Sequence, residues 1–286
     1  MNASGAESSR HCRLCGGASL AFLFRESDGR RHYECWRCET CEVSQTVGDF
    51  PPLSPDYVEL AAEDLSGHHR FIQTTGKAGA FAQWRSLMAA HGRTAGSLLD
   101  IGCGVGGFLD FAADAGFDVY GFDASTAQAE DARVRHSHVR AAASIAAFEA
   151  VLETPLPRFD AITLWDVFEH VREPQTLLRE IRGRLAPSGL LFLSVPNGRV
   201  IPSKLALARL RRRPPGLTPW EHVFYYEPAS LRRIVGSSGF TVAEAGGVVP
   251  YFRAPRFADL VRRSIHRGLA KTPLALQLFV MARRLT

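Results

Sequence analysis

Residues 97–108 read Ser-Leu-Leu-Asp-Ile-Gly-Cys-Gly-Val-Gly-Gly-Phe, an apolar run that stops in glycines and resumes with helical spacing. Glycines allow the sharp reversal, and they let a ligand approach the backbone where a Cβ would block it. The segment therefore closes a buried strand and opens a helix. Asp123 follows Gly104 by 19 residues, at the end of the next apolar run. A carboxylate at that place can accept both hydroxyls of a ribose. Loop and carboxylate thus belong at the carboxyl ends of neighbouring strands, where open α/β sheets bind ligands.

The rest of the chain fits that frame. Short apolar runs at 97–101, 117–122, 161–165 and 190–195 lack polar alternation, as parallel strands covered on both faces do. Between them, Phe108, Phe111, Ala112 and Ala115 form one helix face, and Leu177, Leu178, Ile181 and Leu185 form another. Pro174 suits a first helical position, and Pro187-Ser188-Gly189 ends the segment. Strands alternating with helices predict an α/β fold with a mostly parallel sheet. A sixth strand is expected from Phe240, and 276–282 reads as either a seventh, antiparallel strand or a short helix. Upstream, Phe81, Trp84, Leu87 and Met88 give an amphipathic helical stripe.

Gly102, Gly104 and Gly107 also satisfy the dinucleotide pattern G-x-G-x-x-G. Asp100 separates the two readings: beside a pyrophosphate its charge would be repelled, whereas it can face a cationic methionine moiety. The chain resembles the class I S-adenosylmethionine-dependent methyltransferases. Within them it is most similar to the branch of the ubiquinone-biosynthesis O-methyltransferases and natural-product tailoring enzymes. The resemblance covers roughly residues 57–250. It rests on LLDIGCGVGGFLDFAADAGFDVYGFDAS, FDAITLWDVFEHVREP, RLAPSGLLFLSVPN and the segment Glu221 to Tyr226, in that order. It implies a Rossmann-like sheet in which Asp100, Gly102 and Gly104 line the methionine pocket of S-adenosylmethionine and Asp123 holds its ribose. Trp165 and Asp166 would lie near the reactive end. Where many members carry an acidic residue for the adenine amine, this chain reads Arg140-Ala-Ala-Ala-Ser144-Ile145, which leaves adenine to backbone groups or Ser144.

A sulfonium already activates its methyl carbon, so such a protein supplies alignment, desolvation and sometimes a base. His170 and His222 are the candidate catalytic groups, because a near-neutral imidazole can take a proton from a hydroxyl or ammonium. His170 has a competing reading as a helix-start residue beside the cofactor loop. His222 follows the proline-rich stretch 198–220, and the segment 198–222 is expected to act as a lid and determine the acceptor. Tyr225 and Tyr226 read as pocket wall.

Five of the six cysteines fall within residues 12–41. Cys12-x-x-Cys15-Gly16 is a zinc knuckle, and the second pair is either Cys35/Cys38 or Cys38/Cys41. The preferred set is Cys12, Cys15, Cys38 and Cys41, since 31–36 reads as a strand entering the second knuckle and 43–47 as one leaving it. This resembles the zinc-ribbon module that precedes the methyltransferase domain in some sugar and natural-product methyltransferases. Four thiolates make a closed, structural zinc site.

The resulting domain plan is a disordered tail at 1–10, a zinc ribbon at 11–50, a linker with helices at 51–96, stiffened by Pro51, Pro52 and Pro55, and the methyltransferase domain at 97–286. No signal peptide or apolar run of membrane-spanning length is evident, which with the clustered thiols points to the cytoplasm. The net charge is +5, with no acid between Glu180 and Glu221 and eight basic residues against Asp259 in 251–286. These stretches read either as solvated helix faces or as a surface for an anionic or carrier-bound small-molecule acceptor, RNA or lipid. An RNA methyltransferase is disfavoured by the lack of interleaved aromatic and basic residues. A non-catalytic adaptor is disfavoured by the intact Asp100, Gly102, Gly104 and Asp123 set.

Overall fold

The computed structural model of the chain describes residues 11–48, 77–152, 155–248 and 268–285. The expectations for residues 1–10, for Pro51, Pro52 and Pro55 and for 251–267 lie outside the described residues. Three antiparallel strands come first: β1 (Leu20–Ser27), β2 (His32–Cys38) and β3 (Ser44–Val47). Helix α1 (Ala78–Ala90) then leads into β4 (Gly96–Ile101), α2 (Gly107–Asp114), β5 (Phe117–Asp123), α3 (Thr126–Arg133) and β6 (Val139–Ala141). After α4 (Ile145–Val151) come β7 (Phe159–Trp165), α5 (Pro174–Arg184), β8 (Leu185–Pro196), α6 (Ile201–Arg211), β9 (Phe224–Tyr225), α7 (Pro228–Ser237), β10 (Phe240–Gly247) and β11 (Gln277–Arg284).

Seven of these strands form one sheet in the order β10-β11-β8-β7-β4-β5-β6. β8, β7, β4, β5 and β6 run parallel, and β11 lies antiparallel between β8 and β10. This is the expected Rossmann-like arrangement with its reversed last strand. The chain winds outward from β4 to β6, then returns to the other side of β4 with β7. That reversal opens a crevice at the carboxyl end of β4. Both faces of the sheet are covered, which is why 98–101 and 189–195 are continuously buried. On one face α1 packs Phe81, Trp84 and Met88 onto α2 and β5, with Trp84 4.9 Å from Phe108 and 5.4 Å from Phe117 between ring centres. On the other, Phe148, Leu178, Ile181, Leu231 and Phe240 join one continuous core.

Two features differ from the sequence reading. Leu185 is the first residue of β8 rather than part of a helix face, because Pro187 bars the helix from continuing. The cysteine-bearing sheet also extends beyond residues 11–50: its order is β1-β2-β3-β9, so its fourth strand comes from residues 224–225. A lone β3 would be an edge strand, yet Ser44, Gln45 and Thr46 are buried. Pairing with β9 satisfies the backbone groups that burial would otherwise orphan.

Candidate functional site

The crevice at the tip of β4 is built by the glycine loop. Gly102 has φ +72°, and a Cβ there would lie 2.4 Å from Val167 Cγ2. Gly104 has φ +53°, and its N–H donates to Asp123 Oδ2 at 2.8 Å, while Ser125 N donates to Oδ1 at 2.8 Å. These bonds lock the Asp123 carboxylate at the end of β5 and leave each oxygen a lone pair. Burial pushes its carboxyl up, and the two backbone bonds oppose that. Asp100, at 2% exposure, accepts a hydrogen bond from Thr163 Oγ1 at 2.6 Å. Burial lifts its carboxyl to about 7, against the pull of the Thr163 hydroxyl and the Lys77 charge and with a push from Asp123. The two aspartates therefore sense each other across one loop.

Asp166 follows β7 in a left-handed conformation, φ +57°, which a side chain adopts at a cost. Lys77 Nζ pairs with its Oδ2 at 2.8 Å, and Gln277 Nε2 donates to its Oδ1. The Trp165 ring is turned into the core, 5.0 Å from Phe81, 5.0 Å from Phe108 and 4.8 Å from Phe192, with Nε1 lacking a partner. Ser144 caps α4, its Oγ accepting from Ala147 N at 3.1 Å.

Beyond Asp166 the short turn Phe168–His170 meets the segment before β9. Glu169, His170 and His222 each bring a ligand-type atom to within 4.8 Å of the others. Glu169 is 1% exposed, and neither of its carboxylate oxygens has a partner among the described residues. Burial, reinforced by Asp166, pushes its carboxyl well up. His170 Nδ1 lies 2.9 Å from the Glu221 carbonyl. A carbonyl only accepts, so Nδ1 carries the proton and Nε2 bears the lone pair. The His222 ring sits 4.9 Å from His170 and 5.3 Å from Tyr225, with Nδ1 buried and without a partner among the described residues. Burial, with His170 and Lys204 adding to it, pushes His222 down to about 3. It stays neutral, and is a weak proton acceptor but a good hydrogen-bonding or metal-ligating group. One carboxylate and two imidazoles can position a hydroxyl or hold a divalent cation.

The segment carrying His222 is held by the cysteine-bearing sheet. Thr46 N donates to Val223 O at 3.0 Å and Thr46 Oγ1 to His222 O at 2.8 Å, while Val223 N donates to Glu169 O at 2.9 Å. Arg13, inside the first knuckle, donates to Thr46 O at 2.8 Å and lies 5.0 Å over the Phe224 ring. The sulfurs of Cys12, Cys15, Cys38 and Cys41 all lie within 4.8 Å of one another, with Cys12–Cys41 at 3.5 Å and Cys15–Cys38 at 3.6 Å. Four thiolates around one zinc sit about 3.8 Å apart, so the cluster fits a tetrahedral ion and is too open for disulfides. The bond from Cys41 draws the Cys12 thiol down to about 5 and pushes Cys41 up. Cys35 lies instead in an apolar cluster with Phe24, Ile201 and Tyr225.

Residues 68–245 match the family described as a methyltransferase domain. The chain belongs to that family. Among curated relatives, it is 29% identical over 163 residues to a ubiquinone biosynthesis O-methyltransferase of Azorhizobium caulinodans, covering 53% of this chain and 61% of the relative. It is 32% identical over 162 residues to the enzyme of the same name from Methylobacterium nodulans, covering 54% and 63%. The match therefore spans less than two thirds of either relative. Among solved structures, the 1,6-didemethyltoxoflavin-N1-methyltransferase of Burkholderia thailandensis superposes with TM-score 0.51 at 18% identity, over 92% of this chain and 100% of that one. The magnesium protoporphyrin IX methyltransferase of Synechocystis PCC 6803, with bound S-adenosylhomocysteine, gives 0.50 at 18% identity, over 80% and 99%. Both likenesses concern the fold.

Within this methyltransferase domain, several site residues carry no sequence signal. Thr163 is one apolar-strand residue among many, and only strand pairing brings it against Asp100. Lys77 and Gln277 reach Asp166 from opposite ends of the chain. Glu169 stands beside His170 in the motif, and its isolation is visible only in the fold.

Proposed function

We propose that this chain transfers the methyl group of S-adenosylmethionine to a hydroxyl of a small-molecule acceptor of quinone, sugar or natural-product type. The observation that carries the reading is the meeting of Asp100 and Asp123 at one glycine loop, at the switch point of the sheet. The names of the curated relatives favour oxygen as the methylated atom. When bound, S-adenosylmethionine supplies a methyl carbon already activated by its sulfonium. The chain's own groups bind, orient and exclude water. Asp123 offers its remaining lone pairs to the ribose hydroxyls, and Asp100 ionises against the cationic methionine end. Trp165 and Asp166 border the reactive end, Asp166 through its carboxylate and Trp165 through its backbone. The acceptor hydroxyl lies against Glu169, His170 and His222. Its proton passes to His170 Nε2, while neutral His222 hydrogen-bonds and positions it.

A zinc ion held by Cys12, Cys15, Cys38 and Cys41 belongs to the same reading, and the sulfur spacing supports it. All four ligand positions are then filled, so the metal braces β3 and, through Thr46, the acceptor segment. The clustered free thiols favour a cytoplasmic setting. Among the described residues, no helix is long and apolar enough to cross a membrane.

Calorimetry with S-adenosylhomocysteine tests the cofactor site. Wild type should bind one equivalent, and Asp123→Ala, confirmed as folded by circular dichroism, should bind at least tenfold more weakly. A wild type that does not bind, or a variant that binds equally, removes the proposal.

A further inference from the structure

A groove of about 470 Å³ runs between β1 and the carboxyl end of α6. Phe22, Leu23 and Phe24 form one wall, and Leu205, Arg209 and Arg212 line the other, with Arg213 continuing the basic side. Among the described residues the charge there is uncompensated. Arg209, Arg212 and Arg213 make no side-chain hydrogen bond or ion pair among the described residues. The chain has no acid from 181 to 220, and Glu26 is the single acid among the described lining residues, where Arg25 is already paired with Glu34. The basic wall also holds a strained residue. Arg212 ends α6 with φ +48°, a left-handed position where glycine is the comfortable choice. A bulky side chain kept there, with none of the described residues holding its guanidinium, marks a ligand contact better than a helix cap.

The groove adjoins the acceptor site. Phe24 and Leu205 belong to the same apolar cluster as Ile201 and Tyr225. The Tyr225 ring is 6.4 Å from Phe24 on one side and 5.3 Å from His222 on the other. One layer of side chains therefore separates the arginines' groove from the histidines. Lys204, on the same helix, has no ion-pair partner among the described residues, and burial pushes its ammonium down.

We propose that this groove binds a phosphate-ester portion of the methyl acceptor, so that Arg209, Arg212 and Arg213 hold the phosphate while the rest of the acceptor passes over the Phe24–Tyr225 layer towards His222. The proposal rests on the acceptor site assigned above. Guanidinium forks match phosphate oxygens two at a time, and three of them together suit a multiply charged anion rather than a single carboxylate. The apolar wall opposite would lie along the uncharged part of the molecule next to the phosphate.

The test is calorimetry on the full chain with pyrophosphate, uridine diphosphate and phosphopantetheine, with acetate as a carboxylate control, at two salt concentrations. Pyrophosphate should bind saturably, at least tenfold more tightly than acetate, and weaken as salt rises. Tighter binding of uridine diphosphate than of pyrophosphate identifies a nucleotide-linked acceptor, and tighter binding of phosphopantetheine identifies a carrier-linked one. The R209Q/R213Q variant should bind pyrophosphate at least tenfold more weakly. Arg212→Gly should also lose affinity while its unfolding midpoint stays level or rises, because glycine relieves the left-handed strain. All variants should bind S-adenosylhomocysteine like wild type. No saturable pyrophosphate binding, binding untouched by these variants, or equal binding of acetate overturns the groove assignment. Loss of S-adenosylhomocysteine binding in wild type would instead strike the cofactor reading, which keeps the two failures apart.

Discussion

Lowering the pH from 8 to 6 should protonate Asp100 and weaken cofactor binding, because its carboxyl ionises at about 7 in the free protein. Roughly nine tenths of the protein is ionised at this position at pH 8, and roughly one tenth at pH 6. A ligand whose cationic end requires the carboxylate should therefore bind about tenfold more weakly at pH 6, a difference of about 1.3 kcal/mol. Calorimetry with S-adenosylmethionine, without acceptor, at pH 6, 7 and 8 in buffers of different ionisation heat should find nearly one proton released per ligand at pH 6 and few at pH 8. Thr163→Val removes the hydroxyl that donates to Asp100 and should move the midpoint upward. The sign for folding is the reverse. The folded value lies above the unfolded one of about 3.9, so Asp100 favours folding below about pH 4, and that contribution is lost as pH rises through 7. Asp100→Asn should thus stabilise the free protein at pH 8, by up to about 4 kcal/mol, while costing cofactor affinity. Affinity that stays flat between pH 6 and 8, or an equal slope in Asp100→Asn, would refute the argument.

Elemental analysis should find about one zinc per chain, and Cys12→Ser should lose it; a metal-free, fully folded wild type would remove the ribbon site. Thr46→Val keeps the shape of a fully buried side chain but leaves the His222 carbonyl without its donor, for a loss of about 1–3 kcal/mol. Hydrogen exchange should accelerate at Val223 in Thr46→Val but not in Thr46→Ser, and equal exchange in both would break the link from β3 to the acceptor segment. Gly102→Ala forces a Cβ to within 2.4 Å of Val167 Cγ2 at positive φ, and denaturant unfolding should show a loss of at least about 1 kcal/mol. An unchanged midpoint there would mean that the loop is softer than its geometry suggests.

Much of the fold was legible because the central strands are buried on both faces and bounded by glycine or proline. The runs expected at 117–122 and 161–165 appear as Phe117–Asp123 and Phe159–Trp165. β6, with three residues, and β9, with two, show no apolar run of their own in the sequence, since so few residues carry no period. In the site, Asp100, Gly102, Gly104 and Asp123 come from one continuous motif, and the structure brings them together. His170 and His222 stand 52 positions apart and do meet. Their unequal character, one with a proton-fixed ring and one kept neutral, depends on the Glu221 carbonyl and on burial, neither of which a residue name contains.

By itself the sequence determines the glycine loop, the acidic partner one strand later and the paired cysteines, because each depends on backbone freedom or ligand chemistry encoded within a few adjacent residues. Only the tertiary structure decides that Thr163 holds Asp100, that Lys77 and Gln277 converge on Asp166, and that the cysteine-bearing sheet takes its last strand from the segment bearing His222. These are contacts between residues far apart in the chain. Their energies come from burial and from backbone groups that must find partners once water is excluded, which no local pattern records.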